Sequence, residues 1–175
     1  MINFEAEPES LGPLTILRLP VAASKELPSR GQVSVNATVN DVEITMVIEP
    51  DGRRGHWLRL DQSLIAEAGL EVGVAAHVCL EAGAEWPEPV VPDDLAQALA
   101  DAPAEIQDMW EDITPMARWE WVRWVQATAS ETTRARRVEV TISKMSNGKR
   151  RPCCFDLSSC TEPSVSRSGK LILAP

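Results

Sequence analysis

The chain has 175 residues, 17 Lys plus Arg and 26 Asp plus Glu, for a formal net charge of −9, and 44% of its residues are hydrophobic. That length suits one sizeable domain or two small ones with a genuine apolar core. No stretch reaches the roughly 18 consecutive apolar residues of a membrane-spanning helix, and Met1 to Glu9 lacks the basic start and apolar run of a secretory leader, so a cytoplasmic chain is the expectation. Four Cys are too few for a disulfide scaffold, and the negative charge disfavours nucleic acid as a partner.

The charge is unevenly spread. Residues 81–112 hold 10 acidic and no basic side chains, whereas residues 113–151 hold 9 basic and 3 acidic ones. The simplest reading is that the acidic block pairs with the basic block inside one helical unit. The alternative is that the basic block docks an anionic partner.

The first half reads as strands. Leu14 to Leu19 is a short apolar run closed by Pro20. Val33 to Val39 alternates with period two, Asn40-Asp41 gives a two-residue turn, and Val42, Ile44, Met46 and Ile48 then line one face of a return strand. Pro50-Asp51-Gly52-Arg53-Arg54-Gly55 is a dense turn cluster before a strand from His56 to Leu60. Asp61 caps a short helix over 62–68 that Gly69 closes, and a strand follows over 74–80. So many short strands in about 80 residues predict a small, strongly curved sheet or barrel.

The period then changes. Glu85 to Pro92 is a Pro-rich connector that continues neither a helix nor a central strand. Leu95 and Leu99 share a helix face, and a second helix begins near Pro103 with Ile106, Met109 and Trp110. Thr114-Pro115 is a capped helix start that runs to about Ala127. Ser130 caps the next helix, whose Ala135, Val138, Ile142 and Met145 form an apolar stripe ended by Asn147-Gly148. The tail from Arg151 shows no period and is expected to be partly disordered. The predicted fold class is α+β: a small split β-barrel (1–85), a connector (86–92), an α-helical domain (93–150) and a flexible Cys- and Ser-rich tail (151–175).

Two sets of residues carry a resemblance. Leu27-Pro28, Gly31-Gln32-Val33, Pro50-Asp51-Gly52, His56-Trp57-Leu58-Arg59-Leu60 and Gly69-Leu70-Glu71-Val72-Gly73 resemble a small bacterial barrel family of unknown function. Val91-Pro92-Asp93-Asp94-Leu95, Ala98-Leu99, Trp124, Ala127 and above all Thr133-Arg134-Ala135-Arg136-Arg137 are similar to the bacteriocin-protection, or YdeI/OmpD-associated, domain. Val74 stands where the barrel family has an acidic or polar residue. The resemblance spans roughly residues 4–152. It implies a split barrel followed by a helical domain and a role in protection against antimicrobial peptides or envelope stress, and it implies no reaction.

Four constellations could carry chemistry. Trp121 and Trp124 share a helix face and either pack in a core or wall a ligand pocket. Arg134 and Arg137 lie three apart; guanidinium forks hold carboxylate or phosphate, supplied by the acidic block or by a ligand. The turn with Arg53 and Arg54, followed by His56 and Trp57, could cradle an anion on backbone N–H groups. Cys153, Cys154 and Cys160 follow three cations, which favour thiolate, so they are redox candidates; their spacing matches no standard zinc pattern. His56 and His77 sit in no metal spacing, and neither a metal nor a cofactor is implied. No catalytic motif is present. The sequence therefore favours a non-enzymatic binding or stress-protection protein whose partner is a small anionic ligand or an antimicrobial peptide. A docking module that draws a cationic partner to 81–112 comes second, and an enzyme of unrecognised type working through His56 or a thiolate comes third.

Overall fold

The computed structural model describes residues 1–153 and 156–173. The chain forms two compact units. One is built on Met1–Pro87 and takes in residues 156–160 and the segment from Ser164 onward; the other runs from Glu88 through the later helices and includes Thr161–Pro163.

The first unit is a seven-stranded antiparallel sheet, so together with the helices the class is α+β. Its strands are β1 (Ile2–Ala6), β2 (Glu9–Leu11), β3 (Leu14–Arg18), β4 (Val33–Val39), β5 (Val42–Pro50), β6 (His56–Leu60) and β7 (Ala76–Ala82), in the order β1-β7-β4-β5-β6-β3-β2. β4 and β5 form the expected hairpin, with Val39 opposite Val42 and Asn40 at φ 50 in the turn. β5 meets β4 over Val42–Ile48 but meets β6 only through Glu49 and Pro50. One strand thus serves two neighbours at different ends, which curls the sheet. Inside the curl, Val33, Val35, Ala37 and Val39 of β4 pack with Leu17, Leu58, Leu60, Val78 and Leu80. The helix α1 (Val21–Glu26) contributes Ala23 to this core, and α2 (Gln62–Glu67) contributes Leu64. Asp61 accepts from the Leu64 N–H, which holds its carboxyl below the usual range.

Several expectations are revised. β1, β2 and α1 form where the sequence reading placed no element. β7 starts at Ala76, not Val74, which is exposed in the preceding turn. Residues 156–173, within the tail expected to be partly disordered, include buried side chains at Cys160, Val165 and Leu171. They also make a two-stranded ribbon, β8 (Ser166–Arg167) and β9 (Lys170–Leu171), joined by a turn with Ser168 at φ 52 and Gly169 at φ 73. Two consecutive positive φ values suit a tight hairpin, and Gly supplies the second without strain. Cys160, Val165 and Leu171 of this segment pack with Leu11, Ile16 and Trp57 in a second core on the other face of β3 and β6. Apolar burial outweighs the absence of periodicity there.

The second unit is helical: α3 (Asp93–Ala100), α4 (Ala104–Asp112), α5 (Pro115–Gln126) and α6 (Glu131–Ser146). Thr114 caps α5 by accepting from Ala117 N, and Ser130 caps α6 by accepting from Thr133 N. Leu95, Leu99, Ile106, Trp110, Trp121, Val125, Val138 and Met145 form its core. The predicted α6 stripe is altered at two positions. Ala135 is exposed and Thr141 is fully buried, its hydroxyl donating to Arg137 O at 2.8 Å. That bond satisfies the hydroxyl and permits its burial.

Candidate functional site

The helical unit places its Trp residues differently. Trp121 is 0% exposed, and its Nε1–H donates to Arg150 O at 3.0 Å, so it is part of the core. Trp124 stands edge-on to it, with ring centroids 6.1 Å apart and planes at 77°. The Trp124 indole carries two cations. The Arg137 guanidinium lies 5.4 Å from the ring centroid and Lys144 Nζ lies 5.7 Å away. Seven residues, two helical turns, separate them along α6, which puts both on one face. Arg137 also donates Nη1–H to Trp124 O at 2.7 Å, near the carbonyl end of α5, where a cation complements the helix dipole.

The acidic block pairs with the basic block as the charge layout suggested. Asp94 takes a two-point bond from Arg134, with Nε to Oδ2 at 2.6 Å and Nη2 to Oδ1 at 2.9 Å. This pairing holds the Asp94 carboxyl below its ordinary value and raises Arg134. Glu88 pairs with Arg118 and Asp112 with Arg150. Arg151 pairs with Glu120, a buried carboxylate on α5, and Arg136 pairs with Glu139. Arg134 and Arg137, three apart on α6, have separate partners: Arg134 the Asp94 carboxylate and Arg137 the Trp124 carbonyl and ring. A hollow of about 420 Å³ opens beside Asp94, Glu131, Arg134, Ala135 and Val138. Among the described residues, no carboxylate lies within ion-pair distance of Arg137 or Lys144. Lys144 was not singled out from the sequence; its place seven residues after Arg137 was the available signal.

In the sheet unit, backbone groups of the Arg53–Gly55 turn and the rings of His56 and Trp57 have partners within the fold. The N–H groups of Arg53 and Gly55, which could have cradled an anion, donate to Asp51 Oδ1 at 2.6 and 2.8 Å. Arg54 adopts φ 74, and its carbonyl accepts from Arg30. His56 is 1% exposed. Its Nε2–H donates to Gly31 O at 3.0 Å, which leaves Nδ1 to accept from the Ser24 hydroxyl at 2.6 Å. Burial pushes its pKa down. Trp57 is buried, with Nε1–H donating to Pro50 O at 3.1 Å. Two shallow hollows open on the sheet around Cys79, one beside Asn3 and His77 and the other beside Asn36 and Glu81.

The thiols are dispersed. Cys153 is exposed, with Sγ 2.8 Å from Lys144 Nζ. Cys160 is buried in the second core. Cys154 lies outside the described residues. Among the described residues, no three His, Cys, Asp or Glu side chains gather in a way that could hold a metal ion. Among the described residues, no helix is long and apolar enough to cross a membrane.

These features define an α+β protein in which a curled antiparallel sheet is joined to a small helical unit that carries a cation-flanked indole. Residues 4–80 match the family model described as domain of unknown function DUF1905. Residues 88–148 match the model described as bacteriocin-protection, YdeI or OmpD-associated. The chain is a fusion of these two domains. No curated protein matches it.

Proposed function

We propose that the protein acts by binding rather than catalysis, as a stress-protection protein of the bacteriocin-protection type in the cytoplasm, and that its sheet unit is a split β-barrel. Its binding surface is the face of the helical unit around Trp124, Arg137 and Lys144, and the ligand is a small anion. One observation carries the reading. The acidic block neutralises Arg118, Arg134 and Arg150, while among the described residues Arg137 and Lys144 have no carboxylate partner and converge on one indole. Two cations held on a ring face supply charge and direction together.

Titration of the full chain with inorganic pyrophosphate, followed by Trp emission, tests this. A saturable change is expected, lost in the Arg137→Ala/Lys144→Ala double variant and in Trp124→Phe. No saturable change, or the same change in both variants, overturns it. A second reading rests on α4, where Glu105, Asp108 and Glu111 are exposed at spacings of three on one face. A cationic antimicrobial peptide would bind there. Its binding would survive the double variant and weaken steeply as salt rises past the Debye regime.

A further inference from the structure

Two turns of the sheet unit meet, and both carry cations. The β5–β6 turn holds Arg53 and Arg54, and the β8–β9 turn is flanked by Arg167 and Lys170, which stand opposite each other in the ribbon. The turns touch through backbone. A Cβ on Gly52 would lie 1.9 Å from Gly169 O and 3.0 Å from the Lys170 Cα, and Leu171 N donates to Asp51 O at 2.9 Å. Arg30 joins them, its Nη1–H donating to Arg54 O at 3.2 Å and to Ser24 O at 3.4 Å. All five residues are exposed. Elsewhere the chain pairs Arg18, Arg118, Arg134, Arg136, Arg150 and Arg151 with carboxylates. Among the described residues, none of these five cations has a carboxylate within ion-pair distance. Asp51, at the foot of the first turn, is half-buried, and its Oδ1 accepts from the N–H groups of Arg53 and Gly55. Arg54 also stands at φ 74, a region that suits glycine and strains an arginine. Strain of that kind gathers at functional positions.

The chain as a whole carries −9, so outside these five cations it carries −14. The chemistry of the cluster narrows its partner. Guanidinium forks fit phosphate oxygens. Pairing with exposed carboxylates of another protein would gain little, whereas each phosphate neutralised on a densely charged chain releases counterions. Trp57, at the foot of the same turn, is buried with its Nε1–H donating to Pro50 O, so it offers no ring for a base to stack on. The −14 elsewhere repels a long, stiff polyanion such as a duplex more than a short one. The cations also stand on three chain segments around two turns, which a flexible chain can follow and a flat bilayer meets only in part.

We propose that Arg30, Arg53, Arg54, Arg167 and Lys170 form a docking site for a flexible linear polyphosphate, a chain of phosphates without bases or acyl groups. The site is built from side chains of the sheet unit and shares no residue with the Trp124 face. Its affinity comes from charge and guanidinium geometry, so it falls steeply as salt rises.

Anisotropy of a short, end-labelled inorganic polyphosphate, titrated with the full chain at several salt concentrations, tests this. At about 0.7 per contacted phosphate, the value for single nucleic acid strands, five contacts give a slope of about −3.5 in log affinity against log salt. Arg53→Ala/Arg54→Gly should reduce the slope to about −2. Glycine accepts φ 74 without strain, so this variant keeps its fold. Arg137→Ala/Lys144→Ala should leave the slope unchanged, which separates this site from the Trp124 face. No saturable binding, an unchanged slope in Arg53→Ala/Arg54→Gly, or a slope lowered only in Arg137→Ala/Lys144→Ala would overturn the proposal. So would tighter binding, at equal phosphate concentration, to duplex DNA or to phosphatidylglycerol vesicles than to polyphosphate.

Discussion

Gly52→Ala, compared with Gly69→Ala, separates backbone strain from displacement of the ribbon. Both glycines have positive φ, 72 and 59. A side chain in that region costs about 1–2 kcal/mol at either site. At Gly69 the new Cβ meets nothing within 4 Å, whereas at Gly52 it lies 1.9 Å from Gly169 O. That neighbour is backbone, so no rotamer change relieves the clash; the β8–β9 turn has to retreat by about 1 Å or more, beyond what close-packed interiors absorb. Retreat draws Leu171, 1% exposed, and Val165 from their sockets and stretches the bond from Leu171 N to Asp51 O. Full release of the two side chains would cost about 3–6 kcal/mol, which is the ceiling for the difference between the two variants. Urea unfolding should therefore show Gly69→Ala losing only the strain and Gly52→Ala losing clearly more. Gly52→Ala should also show stronger acrylamide quenching of Trp57. Equal losses, agreeing within about 0.5 kcal/mol, would refute the packing argument.

Other outcomes follow from the same geometry. His56 has its pKa depressed by burial below 6.5, so its stabilising contribution is complete above pH 6.5 and is lost as pH falls from there towards its folded value, because the unfolded chain takes up the proton first. Urea midpoints should decline over that window in the unaltered protein and decline less in His56→Gln. Arg134→Ala should cost only about 0.5–1 kcal/mol, since the paired side chains are 32% and 41% exposed. The depressed Asp94 carboxyl contributes above pH 3.8 and loses that contribution as pH falls through its folded value, so Arg134→Ala should also flatten the acid limb of the stability profile. Trp121→Ala should cost about 3–5 kcal/mol by urea unfolding, and Trp124→Ala clearly less, because only Trp121 is wholly enclosed.

Much of the fold was legible locally. The β4–β5 alternation, the Asp61, Thr114 and Ser130 caps and the change from period two to period 3.6 are statements about adjacent residues, and each appears in place. The pairing of the acidic and basic blocks was also readable, because uncompensated charge in neighbouring helical segments finds partners. The consecutive apolar residues Ile16-Leu17 and Trp57-Leu58 were visible too, and a strand apolar on both sides needs cover on both. Which chain segment supplied that cover was not visible. Residues 156–173 have no period because they pack through a few anchors and a Ser168-Gly169 turn, and a dipeptide turn is a weak signal when its flanking strands are two residues long.

Taken alone, the sequence determined the α+β class, the capped helix starts at Asp61, Thr114 and Ser130 and the distribution of charge, because these depend on neighbours along the chain. Tertiary structure decided which cations, among the described residues, remain without a carboxylate, that Trp121 is core while Trp124 carries Arg137 and Lys144, and that the His56 ring and the N–H groups of Arg53 and Gly55 have internal partners. It also decided that a segment more than a hundred residues downstream completes the second face of β3 and β6. The physical reason is common to all of these. Each depends on partners distant in sequence, whose approach is set by burial and close packing rather than by local spacing.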